Sequence, residues 1–413
     1  MIVFVTDELP RPGTTGHLAL NYTILDWLSS EGFTVTVLLT GDRLPWLFTR
    51  YGLFTVTGPH VARWRGLLVP RGPVSAARIF GRMLGRLLPG PLRRRLHTSP
   101  LEAAATLGRF PTPPDIRWCA RAIARLAPHT VLIDTIFSAP LLAEPELAGL
   151  NSIIITHDVF HRRAQVLRAV GYKVEPEALT RAAEASLLAK ARTIAAIQPD
   201  DAALLRSMCA PEQTILTAPM PAQPCPRPRH VQRIPGRLVF VGSASLPNLD
   251  GLRWFFAEIW PLIEGSGVTL DLIGTCGLSL RLLPPGVTVR GQIDRLSPIL
   301  HRASLAISPL RAGSGLKVKL LDYARHGLYT IATPAALEGF YADPAAPFIT
   351  AATPTAFARA ILRHVATPPP LGSALAYCTQ HYGREASFQS LRQALEESGH
   401  PQTPLSGVRS LPL

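Results

Sequence analysis

No stretch of this chain approaches the roughly 18 uninterrupted apolar residues that a membrane-crossing helix needs. Nothing in it is expected to span a bilayer. The N-terminal run MIVFVTDELP lacks a basic leader and a small-residue cleavage site, so it does not read as a signal peptide. No pair of cysteines has CxxC spacing. The five, Cys119, Cys209, Cys225, Cys276 and Cys378, are scattered and odd in number. Reduced thiols in a cytoplasmic protein are the default reading. Acid is scarce: 28 Asp and Glu stand against 42 Lys and Arg in 413 residues, a formal net charge of +14. Between Asp42 and Glu102 there is no acidic residue, yet there are eleven arginines. That balance favours anionic partners, although an arginine-rich background composition would give the same bias. Charged residues make up only 17% of the chain and hydrophobic ones 47%, which argues against global disorder.

What is present is a repeated α/β pattern. Ile2–Thr6 reads as a buried strand, Asp7–Gly16 as a loop, His17–Ser30 as a helix and Thr34–Leu39 as a second strand. This start predicts a doubly wound parallel sheet, whose ligands bind at the carboxyl ends of the strands. Thr130–Asp134, Ser152–Thr156, Thr193–Ile197 and Thr214–Leu216 are further strands, and Glu175–Ala191 is expected to be one long helix. Six prolines among the seventeen residues Pro219–Pro235 mark a linker. A fresh series then begins at Leu238–Val241, with a helix expected over Asn248–Ile263 and closing helices over Ala356–Val365 and Ala374–Gly399. The expected domains are 1–218, then a linker at 219–236, then 237–380. Residues 381–399 should form a closing helix that packs back toward the first domain, with a loosely held tail at 400–413. Two such domains predict a cleft between them.

Three features are candidates for function. The first is Ser304–Gly339, which reads as strand, glycine loop, helix, strand. Gly313, Ser314 and Gly315 would expose backbone N–H groups at a helix N-terminus, which suits a phosphate, and Lys317 and Lys319 in the first turn would add charge. Gly242-Ser243 is the matching loop after Leu238–Val241. An ordinary crossover with a glycine turn fits the same pattern. The second is a cluster of strand ends: Gly13 and Gly16 after the first strand, and His157 after Ser152–Thr156. A histidine there could polarise a substrate or bond a hydroxyl, or be structural. The third is Val74–Leu88, a basic amphipathic helix with Arg78, Arg82 and Arg86 at four-residue spacing. It could lie in an anionic membrane interface or pack on the sheet with solvated arginines. Nucleic-acid binding fits poorly, because the arginines alternate with aliphatics rather than with stacking aromatics.

These residues resemble a known family. PLRAGSGLKVKLLDYARHGLYTIATPAALEG, Pro309 to Gly339, is similar to the donor-site signature of retaining GT-B glycosyltransferases of family 4, the glycosyl transferases group 1. FVGSASLPNLDGLRWFFAEIWPLI resembles the opening of that family's second domain. IIITHDVFHRR and AAIQPDDAALL resemble the end of its first. The resemblance implies two Rossmann-like domains facing a cleft. It also implies transfer of a hexosyl-type group from a nucleotide sugar to a glycan or lipid-linked acceptor, with retention, in polysaccharide or glycoconjugate biosynthesis. Residue by residue, it implies that Lys317 or Lys319 meets the diphosphate and that Gly242, Ser243, Gly313, Ser314 and Gly315 border it. Asp322 would bond the ribose, standing where relatives carry glutamate, and His157 would lie near the transferred sugar, with Gly13 and Gly16 in the first-domain loop. The Arg–Lys pair that many relatives carry after the second domain's first strand is absent; Pro247 and Asn248 occupy that region.

No Asp-x-Asp motif is present, and the family implies no obligatory metal and no cofactor beyond the donor. The expected location is cytoplasmic, with docking at the inner face of the membrane. The rivals are another GT-B enzyme, such as a nucleotide-sugar epimerase, and a non-catalytic binder that kept the fold.

Overall fold

The computed structural model describes residues 1–11, 16–87, 105–169, 171, 173–280, 282–313, 315–369 and 371–397. They divide into two compact units. The first holds residues 1–197 and 201–218 together with those from Gln389 on; the second holds 198–200 and 219–388. Gly13, Ser314, Arg93-Arg94-Arg95 and the expected tail lie outside the described residues.

The first unit is built on seven parallel strands: β1 (Ile2–Glu8), β2 (Val35–Arg43), β3 (Thr55–Thr57), β4 (Thr130–Asp134), β5 (Asn151–Thr156), β6 (Thr193–Ala196) and β7 (Thr214–Thr217). Their order is β7-β6-β5-β4-β1-β2-β3. Val3, Phe4 and Val5 of β1 and Val131, Leu132 and Ile133 of β4 are fully buried, as strands of a parallel sheet covered on both faces must be. Helix α1 (His17–Ser30) lays Leu18, Ile24, Leu25 and Leu28 into the core. Helix α2 (Pro73–Leu87) buries Ile79 but leaves Phe80 and Leu84 each 49% exposed. The strand order changes direction between β1 and β4, so a crevice is expected at their carboxyl ends.

The second unit repeats the plan with six parallel strands: β8 (Arg237–Val241), β9 (Thr269–Ile273), β10 (Val287–Gly291), β11 (Leu305–Ser308), β12 (Thr330–Ala332) and β13 (Phe348–Thr350). Their order is β10-β9-β8-β11-β12-β13, and the change of direction lies between β8 and β11. Helix α3 (Leu246–Trp254) follows β8, and α4 (Val318–Arg325) follows β11. Phe240, Leu252, Phe255 and Phe357 fill the core with no exposed surface.

Several expectations are corrected. Glu175–Ala191 is not one helix. Val174–Glu175 is a short strand, Pro176 removes a donor, and the helix starts only at Arg181, where the Thr180 hydroxyl accepts from Ala183 N–H at 3.2 Å. An unexpected helix, Phe160–Ala169, precedes it. Its N-terminus is held by Glu184, which is fully buried and accepts from the N–H groups of Phe160 (2.9 Å) and His161 (2.7 Å). Asn248–Ile263 is not continuous either: α3 widens to a π-turn at Phe255–Ile259 and tightens to a 3-10 turn at Trp260–Leu262. Pro261 accounts for both, because its ring clashes with a carbonyl four residues back and it has no N–H to give. Gly383 splits the last helix into Leu371–Tyr382 and Arg384–Glu396. Beyond that break, Arg392 pairs with Glu31 at 2.8 Å, both within the first unit. An antiparallel ribbon of Thr49–Arg50, Val61–Trp64 and Leu67–Pro70 has no counterpart in the sequence reading. Its turn, Arg65-Gly66, has φ of 47° and 82°, which matches the hand of a two-residue hairpin. No helix among the described residues is long and apolar enough to cross a membrane.

Candidate functional site

In the second unit, two loops meet where β8 and β11 lie side by side. Val241 ends β8, and its N–H donates to Tyr323 Oη of α4 at 2.6 Å. Gly242 then donates to the Ile273 carbonyl at 2.9 Å. No side chain fits at Gly242: a Cβ would lie 2.7 Å from the Phe240 ring and 2.9 Å from Asn248 Nδ2. Ser243 is exposed, and its carbonyl accepts from Asn248 Nδ2 at 2.9 Å. No side chain caps α3 at Ser245, so the positive end of its dipole borders this loop uncompensated by a cap.

The loop after β11 is fastened to α3 by Arg311. Its Nε and Nη2 grip the two oxygens of Asp250 at 3.0 and 2.8 Å. Gly313 and Gly315 have φ of +146° and +73°, backbone that side chains resist, which explains glycine at both positions. Lys317 immediately precedes α4. It is 8% exposed, and its Nζ reaches the Glu338 carbonyl at 3.4 Å. Lys319, in the first turn, donates to Asn248 Oδ1 at 2.5 Å and stands 4.2 Å above the Phe240 ring. Burial, opposed by Cys276 and reinforced by the Lys317 charge, pushes its pKa down to about 7. It therefore titrates near neutrality and would regain its proton beside an anion. Asp322, one turn further on, is paired with Arg325 at 3.0 Å. Burial raises its carboxyl above the usual range although Arg325 pulls the other way.

In the first unit, the strand ends gather a second group. Asp134 closes β4 with 2% of its surface exposed. Its Oδ2 accepts from Thr6 Oγ1 (2.7 Å) and Asn21 Nδ2 (2.8 Å), and its Oδ1 lies 2.6 Å from His157 Nε2. Burial favours the neutral acid. The His157 charge and hydrogen bond, His17 and the Thr6 hydroxyl outweigh it and hold the carboxyl below its usual range. Nε2 faces Asp134, and Nδ1 is the other ring nitrogen. That atom is buried and has no hydrogen-bond partner among the described residues. His17 stands edge-on to the same ring at 5.6 Å. Burial lowers its pKa against the pull of Asp134, with His157 adding to the lowering. Gly16, with φ of 64°, is the N-cap of α1 beside it. Asp7, its carboxyl raised by burial against Arg43, pairs with that arginine at 3.1 Å.

The structure brings Gly242, Ser243 and Lys319 together around Asn248 and places Gly313, Gly315 and Lys317 in the adjoining loop. Asp322 lies on the same helix, engaged with Arg325. Asn248 was visible in the sequence only as a replacement for a basic residue. Asp134, His17, Asn21 and Thr6 were not singled out at all. The signal for Asp134 was its place: a lone carboxylate ending the apolar run TVLID, next to the run that ends at His157.

The arginines of α2 are not simply solvated. Arg82 Nη1 lies 3.1 Å from Asp42 Oδ1 and its Nη2 donates to the Asp42 carbonyl at 2.6 Å, while Arg78 Nη1 lies 3.4 Å from Asp42 Oδ2. Arg86 is in the last turn, and its side chain lies outside the described residues. Both arginines remain exposed, and Val74, Phe80 and Leu84 are exposed as well.

Residues 235–367 match the family described as Glycosyl transferases group 1. A curated relative, an uncharacterized 44.6 kDa protein in the cps region of Klebsiella pneumoniae, is 25% identical over 141 residues. That alignment spans 31% of this chain and 36% of the relative, so it covers about a third of either. Among solved structures, sucrose-phosphate synthase from Thermosynechococcus elongatus is similar with a TM-score of 0.62 at 14% identity, over 96% of this chain and 98% of that one. The lipopolysaccharide outer core galactosyltransferase WaaB is similar with a TM-score of 0.55 at 11% identity, over 96% and 99%. At such identities the likeness carries the fold, two α/β units with parallel sheets as in GT-B glycosyltransferases. The chain thus has the α/β fold of GT-B glycosyltransferases, and its residues 235–367 are similar to the glycosyl transferases group 1 family.

Proposed function

We propose that the chain is a glycosyltransferase that moves a hexosyl-type group from a nucleoside diphosphate donor to a glycan or lipid-linked acceptor, with retention, in polysaccharide or glycoconjugate biosynthesis. One observation carries this reading. Within the matched domain, an uncapped helix N-terminus and a lysine that titrates near neutrality converge on the loop after β8. A departing diphosphate needs its growing negative charge offset, and preorganised N–H groups with a lysine do that without a required metal. The diphosphate draws Lys319 away from Asn248 and keeps it protonated. Lys317, Gly313 and Gly315 border the same anion, and Asp322 takes a ribose hydroxyl.

In the first unit, His157 hydrogen-bonds a sugar hydroxyl, with Asp134 holding the ring. Asp134 itself is a poor nucleophile, because both its oxygens are already occupied. That disfavours a covalent glycosyl–enzyme on Asp134. Incubation with UDP-, GDP-, ADP- and TDP-sugars should show slow donor hydrolysis with one base, and NMR of the product anomer reads the stereochemistry. If hydrolysis and transfer stay undetectable across the panel, and K317A/K319A leaves nucleotide affinity unchanged, the proposal fails.

The acceptor side of the proposal places α2 on an anionic membrane surface, its Phe80 and Leu84 entering the interface and its arginines near the headgroups. The protein should float with anionic vesicles, and Phe80→Ser with Leu84→Ser should remove most of that fraction. These two positions test the idea better than Arg78 and Arg82, whose replacement also breaks pairs with Asp42. Unchanged flotation would take α2 out of the account.

A further inference from the structure

Cys225, His301 and His326 form a cluster that the donor chemistry does not use. Cys225 lies in the proline-rich segment, His301 follows the short helix Ser297–Leu300, and His326 is the C-cap of α4. Among the described residues this is the one group of three such side chains whose ligand atoms all lie within 4.8 Å of one another. Cys225 Sγ is 3.9 Å from His301 Nε2, and the two imidazole rings are 5.1 Å apart. Both histidines are buried, and Cys225 is partly exposed, which leaves an entry path.

The orientation of His326 is already fixed. Its Nδ1 donates to the Asp322 carbonyl at 2.6 Å, so Nε2 carries the lone pair, which Ser297 Oγ meets at 2.9 Å. A backbone carbonyl on the far nitrogen is the outer partner that metal-binding histidines commonly have. The segment around Cys225 is pinned as well: its N–H donates to the Arg325 carbonyl at 2.6 Å, and its carbonyl faces His301 Nε2 at 2.9 Å. Tetrahedral zinc with ordinary bond lengths sets sulfur and nitrogen ligands about 3.5 Å apart. The observed spacing needs a contraction of under about 1.5 Å to meet that.

We propose that Cys225, His301 and His326 bind one Zn2+ ion, with the fourth position taken by water or the Ser297 hydroxyl, and that the ion fastens the proline-rich segment to the C-terminal end of α4. On binding, the Cys225 thiol loses its proton to solvent as the metal–sulfur bond forms. His301 Nε2 gives up its hydrogen bond to the Cys225 carbonyl, and the ring proton passes to Nδ1. One thiolate and two imidazoles suit a borderline-soft ion such as zinc better than magnesium or calcium. The site is structural and separate from Lys317 and Lys319, so zinc loading and nucleotide binding can succeed or fail independently.

The test uses the full chain, stripped with EDTA and desalted, then titrated with Zn2+ alone and, separately, with Co2+ alone. The expected result is one ion per chain, release of about one proton per ion as the thiol ionises, a Tm raised by zinc, and a thiolate-to-Co2+ band in the near ultraviolet. Cys225→Ser should lose the band and the Tm shift, while Cys209→Ser, a half-buried thiol elsewhere, should keep both. His301→Gln, a second route if Cys225→Ser folds poorly, should weaken the visible Co2+ bands. Absence of the band in the unmodified chain, or its survival in Cys225→Ser, would overturn the assignment.

Discussion

Asp134→Ala should lower the unfolding free energy of the first unit by about 3–5 kcal/mol, the range for removing one partner of a buried charged pair. The carboxylate is almost wholly buried and receives Thr6, Asn21 and His157. Its loss leaves the Asn21 donor and the His157 ring without that acceptor in a place water barely reaches, while the Thr6 hydroxyl can turn to the Glu8 carbonyl at 3.1 Å. Each orphaned donor carries a desolvation penalty of about 1–3 kcal/mol, partly relieved by relaxation. Asp134→Asn keeps the volume and one acceptor oxygen and should cost less. The pH dependence has a definite sign. The folded-state pKa lies below the unfolded one, so the contribution of Asp134 is present above about pH 4 and is lost as pH falls through the folded value. Urea unfolding at pH 7 and at pH 3.5 checks both points: the gap between wild type and Asp134→Ala should narrow at the lower pH. A loss under about 1 kcal/mol at pH 7 would mean that His157 is held by something other than Asp134.

Nucleotide-sugar affinity should fall as pH rises above 7, by up to about tenfold per unit, because only the protonated lysine binds the anion. Burial has brought Lys319 to about 7, and a bound diphosphate raises that value. The fall therefore runs from about pH 7 to the higher bound-state pKa and levels off beyond it. A nucleotide sugar is the right probe, since its diphosphate is esterified at both ends and lacks the phosphate ionisation near pH 6 of a terminal group. Lys319→Met keeps most of the volume over Phe240 but removes the charge. It should weaken binding at pH 6.5 by about 10- to 100-fold, the worth of a charge-assisted hydrogen bond, and flatten the profile above pH 7. A slope that persists in Lys319→Met would assign the titration to another group.

Much of this arrangement was legible because parallel strands announce themselves. IVFVT, TVLID, SIIIT and LAIS are apolar on both faces, and the strands that end just before Gly242 and at Ser308 run straight into their loops. The lysines next to the glycine loop were legible for the same local reason. What escaped depends on partners distant in sequence. Asn248 matters because Lys319, 71 residues away, donates to it. Asp134 matters because Asn21 and His157 arrive from other strands and helices. Asp42, the last acid before the arginine-rich stretch, collects Arg78 and Arg82 because β2 ends beneath α2, which no periodicity in α2 could reveal. The Trp64–Leu67 hairpin was hidden because its turn uses Arg-Gly rather than the usual Asn-Gly.

The central claim is that the loops after β8 and β11 hold a nucleoside diphosphate against Lys319. Isothermal titration of the unmodified chain and of Lys319→Met with UDP-, GDP-, ADP- and TDP-sugars at pH 6.5 tests it most directly. The prediction is saturable one-to-one binding of one base class, weakened about 10- to 100-fold in Lys319→Met. No binding of any of the four, or equal affinity in the two proteins, would contradict it.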